Sequence, residues 1–280
     1  MKKLSFILLS LWCATLCFGQ FQKLSFTTKF YDAIDKWIAY PNDSRYVIGF
    51  LYIDRYSGIT FYYETDAINT SEGLTRKPGR SATVGPFLRQ SIRPNVAILS
   101  DETIEHLGLP KEPAWLKDHK RNSKSYYMRI GRLYNSIGAS HHAIEPLLKV
   151  YEKKPHHSNV ELQLAFAYNA TGQYDKAVAV LTRAIEHKPN NPLFYRELGF
   201  TLMQQGKINE AEAVYLKGMK VQSYWWEPSV HMGFSMLHYF FTVRDKPKFD
   251  KWKQLTMTYI YTNAQLYQYV KDYEENWDKQ

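Results

Sequence analysis

The chain is predicted to fold as an α+β amino-terminal domain followed by an all-α solenoid of stacked helix pairs. Three observations carry that expectation. From Lys124 onward the sequence resembles itself at a shift of 34 residues. Before Lys124 the apolar residues fall in short runs separated by Gly, Pro and polar clusters. After Trp225 helical spacing continues while the period stretches, as expected where a repeat array ends.

The first segment, residues 1–19, reads MKKLSFILLSLWCATLCFG. Lys2 and Lys3 form a positive start, Leu4–Leu16 an apolar core, and Gly19 a small residue before a cut at Gln20. This is the pattern of a secretory signal peptide. Lipidation at Cys13 or Cys17 is not expected, because Trp12 and Leu16 stand where a small residue is needed. The chain has 280 residues, and both of its cysteines lie in the leader, so the exported chain would have no disulfide and no thiolate metal site. It would also have no transmembrane anchor. The formal charge of +9 falls by two when Lys2 and Lys3 are removed. Outside the cytosol, such a basic chain meets anionic glycans, lipid headgroups or acidic proteins rather than nucleic acid.

Residues 20–116 form the expected α+β domain. Phe30–Tyr40 reads as a short helix. Arg45–Glu64 reads as two strands joined by a loop that ends at Gly58. Ile68–Ala82 is polar and punctuated by Gly and Pro, hence a loop. Pro94–Leu99 suggests another strand, with a helix capped at Ser100 or Asp101 after it. The Tyr-rich hairpin is apolar on both faces. One face is expected to pack on the Phe30–Tyr40 helix and the other to face the repeats or a partner. Residues 117–123 are read as a linker.

The repeats occupy 124–157, 158–191 and 192–225. Glycine recurs at Gly138, Gly172 and Gly206, and alanine at Ala143, Ala177 and Ala211. A second small register runs through Gly131, Ala165, Gly199 and Gly233. Tyr134, Tyr168 and Leu202 share a further register, as do Pro155 and Pro189. Small residues in two registers let paired helices approach closely, glycine supplies the turn between them, and proline ends the second helix. The sequence resembles the tetratricopeptide repeat (TPR): Ile130-Gly131, Tyr134, Ala143, Leu147 and Pro155 in the first repeat match the family pattern. So do Leu164-Ala165, Tyr168, Ala177, Leu181, Ala184 and Pro189 in the second, and Leu198-Gly199, Ala211 and Tyr215 in the third. Glu161 replaces the usual aromatic in the second repeat, and Ser223 the proline in the third.

A degenerate fourth pair follows at 226–263. Met232-Gly233 keeps the register, but Phe240 stands where the turn glycine belongs. The next helix is expected after Pro247, with Phe249 and Trp252 in packing places, which implies about seven extra residues or two helical turns. In residues 264–280, Leu266, Val270, Tyr273 and Trp277 share one face of a capping helix.

No catalytic motif is apparent: there is no G-x-S-x-G, P-loop, H-E-x-x-H or glycine-rich dinucleotide fingerprint. His141 and His142 lie one turn before Glu145 without an evident third ligand, so no metal or other cofactor is expected. His156-His157 is read as an exposed turn, and His231 and His238 stand too far apart to chelate an ion. The basic strings Arg76–Arg80 and Lys117–Arg121 are read as solvated loops.

The TPR resemblance implies a concave groove lined by the first helix of each repeat. Carried over place by place, it gives Arg132, Asn135 and Ser136; Leu162, Phe166 and Asn169; Arg196, Phe200, Met203 and Gln204; and Val230, Phe234 and His238. One place reads Arg132, Phe166, Phe200, Phe234 along the repeats. Such anchors suit peptide or protein contacts, although the same column would also serve packing between repeats or against the amino-terminal domain. The basic clamp with which some TPR domains hold an acidic carboxyl terminus is absent: its places hold Met128, Arg132, Gln163, Leu193 and Glu197. The resemblance implies a non-enzymatic scaffold that binds a protein or peptide, and the leader adds export, periplasmic or secreted, with a bacterial cell envelope favoured. The alternatives are a glycan- or lipid-binding envelope protein that uses the aromatic amino-terminal domain, and an enzyme with an unrecognised site in that domain.

Overall fold

The computed structural model describes residues 23–54, 56–71, 73–77, 95–119, 123–221, 227–260, 263–277 and 279. The leader at 1–19, its cut at Gln20, Pro78–Ala82 of the expected loop, Lys120 and Arg121 of the second basic string, and Trp225 lie outside these residues. The chain divides into two compact units that part between Lys120 and Arg121.

The amino-terminal unit is built on one antiparallel sheet in the order β1-β6-β2-β3-β4-β5. Its strands are β1 (Thr28–Lys29), β2 (Lys36–Asn42), β3 (Arg45–Asp54), β4 (Gly58–Thr70), β5 (Gly73–Lys77) and β6 (Asn95–Ile98). Two short helices follow, α1 (Asp101–His106) and α2 (Leu116–His119), and the Ser100 side chain caps α1 by accepting from the Thr103 N–H. The helix expected over Phe30–Tyr40 is not formed. A single 3₁₀ turn covers Phe30–Ala33, Asp35 takes a left-handed φ of 59°, and the chain turns into β2. Trp37 and Ala39 then point to one face and Ile38 to the other, a period of two that the short apolar run also allows. The polar reading of Ile68–Lys77 also needs correction, because β4 runs to Thr70 and β5 pairs with it from Asp66↔Lys77 to Thr70↔Gly73.

One face of the sheet buries Trp37, Ile48, Phe50 and Tyr52 beneath Ile104, Leu107, Leu109 and Leu116. Trp115 seals this core, its ring 4.8 Å from Tyr52 and 4.7 Å from Tyr62. The Trp37 indole N–H donates to the Pro110 carbonyl at 2.7 Å. One face of the hairpin therefore packs on the segment from α1 to α2, while residues 36–42 pair along its edge as β2. Arg76, read as part of a solvated loop, lies on β5, pairs with Glu64 and donates to the Leu107 carbonyl.

The second unit is a run of antiparallel helix pairs: α3 (Lys124–Ser136) with α4 (Ser140–Tyr151), α5 (Val160–Ala170) with α6 (Tyr174–His187), and α7 (Pro192–Gln204) with α8 (Ile208–Met219). They are followed by α9 (Glu227–Thr242) with α10 (Lys246–Ile260), and by a last helix, α11 (Ala264–Glu275). Gly138, Gly172 and Gly206 take φ of 78°, 71° and 73° at the turns, a conformation that costs a side-chain-bearing residue energy. In the longer fourth pair Arg244 takes that role at φ 60°. A Cβ on Gly131 would meet Leu147, and one on Gly199 would meet Tyr215, each sixteen positions on. The matching contact of Gly233 is Thr256, twenty-three positions on. The seven extra residues lengthen both helices, by about one turn each, before and after Arg244.

Glu212 ties the third pair to the fourth. Its carboxylate is mostly buried and accepts from Lys251 (2.9 Å), Lys248 (3.2 Å) and the Trp252 indole N–H (3.2 Å). Burial alone would raise its pKa, but these donors outweigh it and hold the carboxyl below its ordinary value of 4.5. A lowered carboxyl pKa stabilises the fold at pH values above 4.5 and ceases to do so as pH falls through the lowered value. We expect Glu212→Gln to lower the urea midpoint at pH 7 and the gap to wild type to close in acid, as read from paired denaturation curves at pH 7 and pH 3. We also expect Gly199→Ala, whose Cβ would lie 2.1 Å from the Tyr215 ring, to cost about 2 kcal/mol. Gly206→Ala, strained only in its backbone, should cost about 1 kcal/mol in the same assay.

Candidate functional site

The first helices of the pairs lie side by side, α5 touching α3 and α7, and α7 touching α9. Their shared face carries the residues expected to line a groove. Phe166 and Phe200 stand one repeat apart and remain 47% and 42% exposed, among the most exposed large apolar residues described. Two clefts meet at Phe166, Arg196 and Glu197. One of about 300 Å³ adds Asn135, Leu162, Gln163 and Leu193. The other, of about 480 Å³, adds Asn169, Tyr174, Phe200, Gln204 and His231.

The polar members of the site have different work. Asn135 is buried, and its side-chain amide donates to the Gln163 carbonyl (2.9 Å) and to Gln163 Oε1 (3.1 Å). One repeat later the Thr201 hydroxyl donates to Asn169 Oδ1 at 3.0 Å. Each asparagine thus clasps the next first helix, so its role in the architecture is as definite as its place in the groove. Asn135 Oδ1 and Asn169 Nδ2 are left without a hydrogen-bond partner among the described residues. Arg196 is half-buried and held by Glu197, with Nη2 to Oε1 at 2.7 Å.

Other expected residues fall elsewhere. Arg132 and Ser136 are exposed on α3, outside these two clefts, and Ser136 bonds back to the Leu133 carbonyl. Met203 is half-buried against the core of the fourth pair. Val230 and Phe234 line a third cleft, of about 740 Å³, between α9 and α11. His238 is exposed and lies 3.1 Å from the Tyr273 hydroxyl on α11. Sequence reasoning missed Glu197, Tyr174 and His231 as lining residues. Glu197 was visible only as a failed clamp position, and Tyr174 begins a second helix, which place-by-place transfer from first helices does not sample.

Two groups of histidines are engaged in ring contacts. His141 and His142 rings lie 4.1 Å apart and His142 rests on Tyr134, while Glu145 pairs with Lys149. The turn histidine His156 is not fully exposed: it stacks on His187 at 3.7 Å and bonds the buried Glu161. Burial also lifts the Tyr215 phenol well above its ordinary pKa, against the lowering effect of Ser235, so it stays protonated beside the middle cleft. What the face offers chemically is exposed rings, amides and one Arg–Glu pair, a set for recognition.

If Asn135 is a clasp, removing it should be felt in stability. We expect Asn135→Ala to cost about 1–2 kcal/mol, because both side-chain hydrogen bonds from the buried Asn135 amide to Gln163 are lost. The exposed neighbour change Ser136→Ala should stay within about 0.5 kcal/mol. Urea denaturation of both variants checks the difference.

Residues 166–206 match the family model described as TPR repeat. No curated protein matches the chain. Among solved structures, a MamA mutant is 25% identical with a TM-score of 0.34, over 36% of this chain and 58% of that one. A crystal structure of MamA is 19% identical with a TM-score of 0.44, over 51% of this chain and 82% of that one. This chain therefore spans less than two thirds of the first of these relatives. With the 34-residue period, the helix hairpins and the matched repeat taken together, the second unit is a solenoid of tetratricopeptide-type helix pairs that follows a sheet domain.

Proposed function

We propose that this chain is an exported, non-catalytic scaffold whose first-helix face binds an extended segment of a protein in the cell envelope. The observation that carries the reading is the exposure of Phe166 and Phe200 at equivalent places of successive repeats, with Arg196 between the clefts they line. Large rings left open to water at a fixed spacing offer anchors, and aromatic and Arg residues are over-represented among those that dominate binding energy. The groove lacks a basic clamp: Met128 is buried, and Glu197 occupies Arg196. An apolar or mixed segment suits it better than an acidic tail.

Export rests on the leader-like residues 1–19. Among the described residues, no helix is long and apolar enough to cross a membrane. The glycan- or lipid-binding alternative has less support, since Trp37, Phe50 and Tyr52 of the sheet lie in its core and, among the described aromatic residues of that unit, only Tyr56 is widely exposed.

Selection of a displayed random-peptide library on the full chain tests the proposal. Peptides enriched on wild type should bind a Phe166→Ala/Phe200→Ala chain about a hundredfold more weakly, with each ring worth roughly tenfold. Equal binding to both chains would remove the groove from the account. Circular dichroism should show the variant folded, because both rings are substantially exposed.

A further inference from the structure

The cleft between α9 and α11 lies outside the three expected repeats, yet it is the roomiest of the three, at about 740 Å³. Its wall is apolar and aromatic: Val230, Phe234, Phe241, Leu266, Tyr269 and Tyr273. Tyr269 is 50% exposed there. This volume falls in the range of sites that enclose a drug-sized group or a few large side chains. Its charge is opposite to that of the chain as a whole. The formal charge of the chain is +9, but the two carboxylates at the cleft, Glu227 and Asp272, have neither Lys nor Arg as an ion-pair partner among the described residues. Glu227 lies 3.6 Å from His231, and Asp272 accepts from the Gln268 amide. Arg244, which stacks on Phe241, is held by the Trp277 carbonyl. His231 lines both this cleft and the middle cleft of the groove, so the two adjoin at that residue.

We propose that this cleft is the anchor pocket of the groove: it takes one large apolar side chain of the bound segment, and its carboxylates select Lys or Arg beside that anchor. The inference rests on the reading of the first-helix face as a peptide groove and adds the chemistry of the ligand. A peptide fits better than a lipid surface, because the carboxylates repel anionic headgroups and the pocket adjoins, at His231, a groove that a chain can follow.

The test uses the same library selected on the full chain, then synthetic peptides made from the enriched sequences. Enriched peptides should carry a large apolar residue within two positions of Lys or Arg. Replacing that base by Glu should weaken binding about fivefold at low salt, and less at high salt, as two exposed ion pairs allow. Glu227→Gln/Asp272→Asn should erase this preference while keeping the apolar requirement. Tyr269→Ala should weaken the peptides about tenfold. Both changes alter exposed side chains and leave the buried core intact. Peptides that depend on Phe166 and Phe200 but are indifferent to Tyr269, Glu227 and Asp272 would overturn the pocket and leave the groove standing. Peptides that depend on the pocket alone would do the reverse. Enrichment of acidic flanks, or vesicles of phosphatidylglycerol captured through Tyr269, would overturn the proposed ligand, and no enrichment at all would overturn both readings.

Discussion

The solenoid depends on the close approach of two helices at one small residue per pair. At Gly131, Gly199 and Gly233 a methyl group would overlap Leu147, Tyr215 and Thr256, so the second helix lies against the backbone of the first. Once that contact is made, the first helix has little freedom to roll. Its Leu164, Phe194 and Leu198 equivalents are committed to the interior, and the place that holds Arg132, Phe166 and Phe200 is left on the shared open face. The exposure of Phe166 and Phe200 is thus a consequence of packing elsewhere: these rings cannot turn inward without lifting α5 and α7 from α6 and α8.

The features most legible in the sequence were those that admit few residue types. A left-handed turn position asks for glycine, and a position of backbone contact asks for glycine or alanine, so both registers stood out from the residue letters alone. The seven residues added to the fourth pair were countable for the same reason, because Gly233 marked one end of the longer arm. Arg244 shows where this legibility stops. A residue with a side chain accepts the same left-handed φ when the helices on both sides are otherwise paid for by packing, here by Phe240, Phe249 and Trp252.

Features open to several residue types were misread. Phe30–Tyr40 has apolar residues that satisfy a helix or a strand, and pairing with β3, a non-local contact, decided in favour of the strand. β5 has a single buried apolar residue, Leu74, and is a strand because β4 offers it a partner. Asn135 and Asn169, expected in groove places, do line the clefts. Their amide groups also serve contacts to the neighbouring first helix, a role that depends on Gln163 and Thr201, 28 and 32 positions away. His156 was read as exposed, yet the buried Glu161, standing where the family has an aromatic, draws its ring inward.

The two ends of the first-helix face differ in a way that bears on binding. Toward α3 the column ends in Arg132, exposed and apart from the clefts at Phe166. Toward the carboxyl end, α11 lies along α9, and Tyr273 reaches both His238 and Phe241, closing part of the face that a further repeat would have occupied. A helix that only capped the array would fill the space beside α9. This one covers Phe241 and Phe249 with Tyr273 and Trp277 but leaves a volume lined by Phe234 and Tyr269. The longer arms of the fourth pair account for that geometry. Arg244 and Lys246 at its tip engage Trp277 and hold the end of α11, so the helix is fixed at its far end while its start leaves room beside Val230. The degenerate pair therefore does more than stop the repeat: the extra turn that fastens the cap also keeps a cleft beside it.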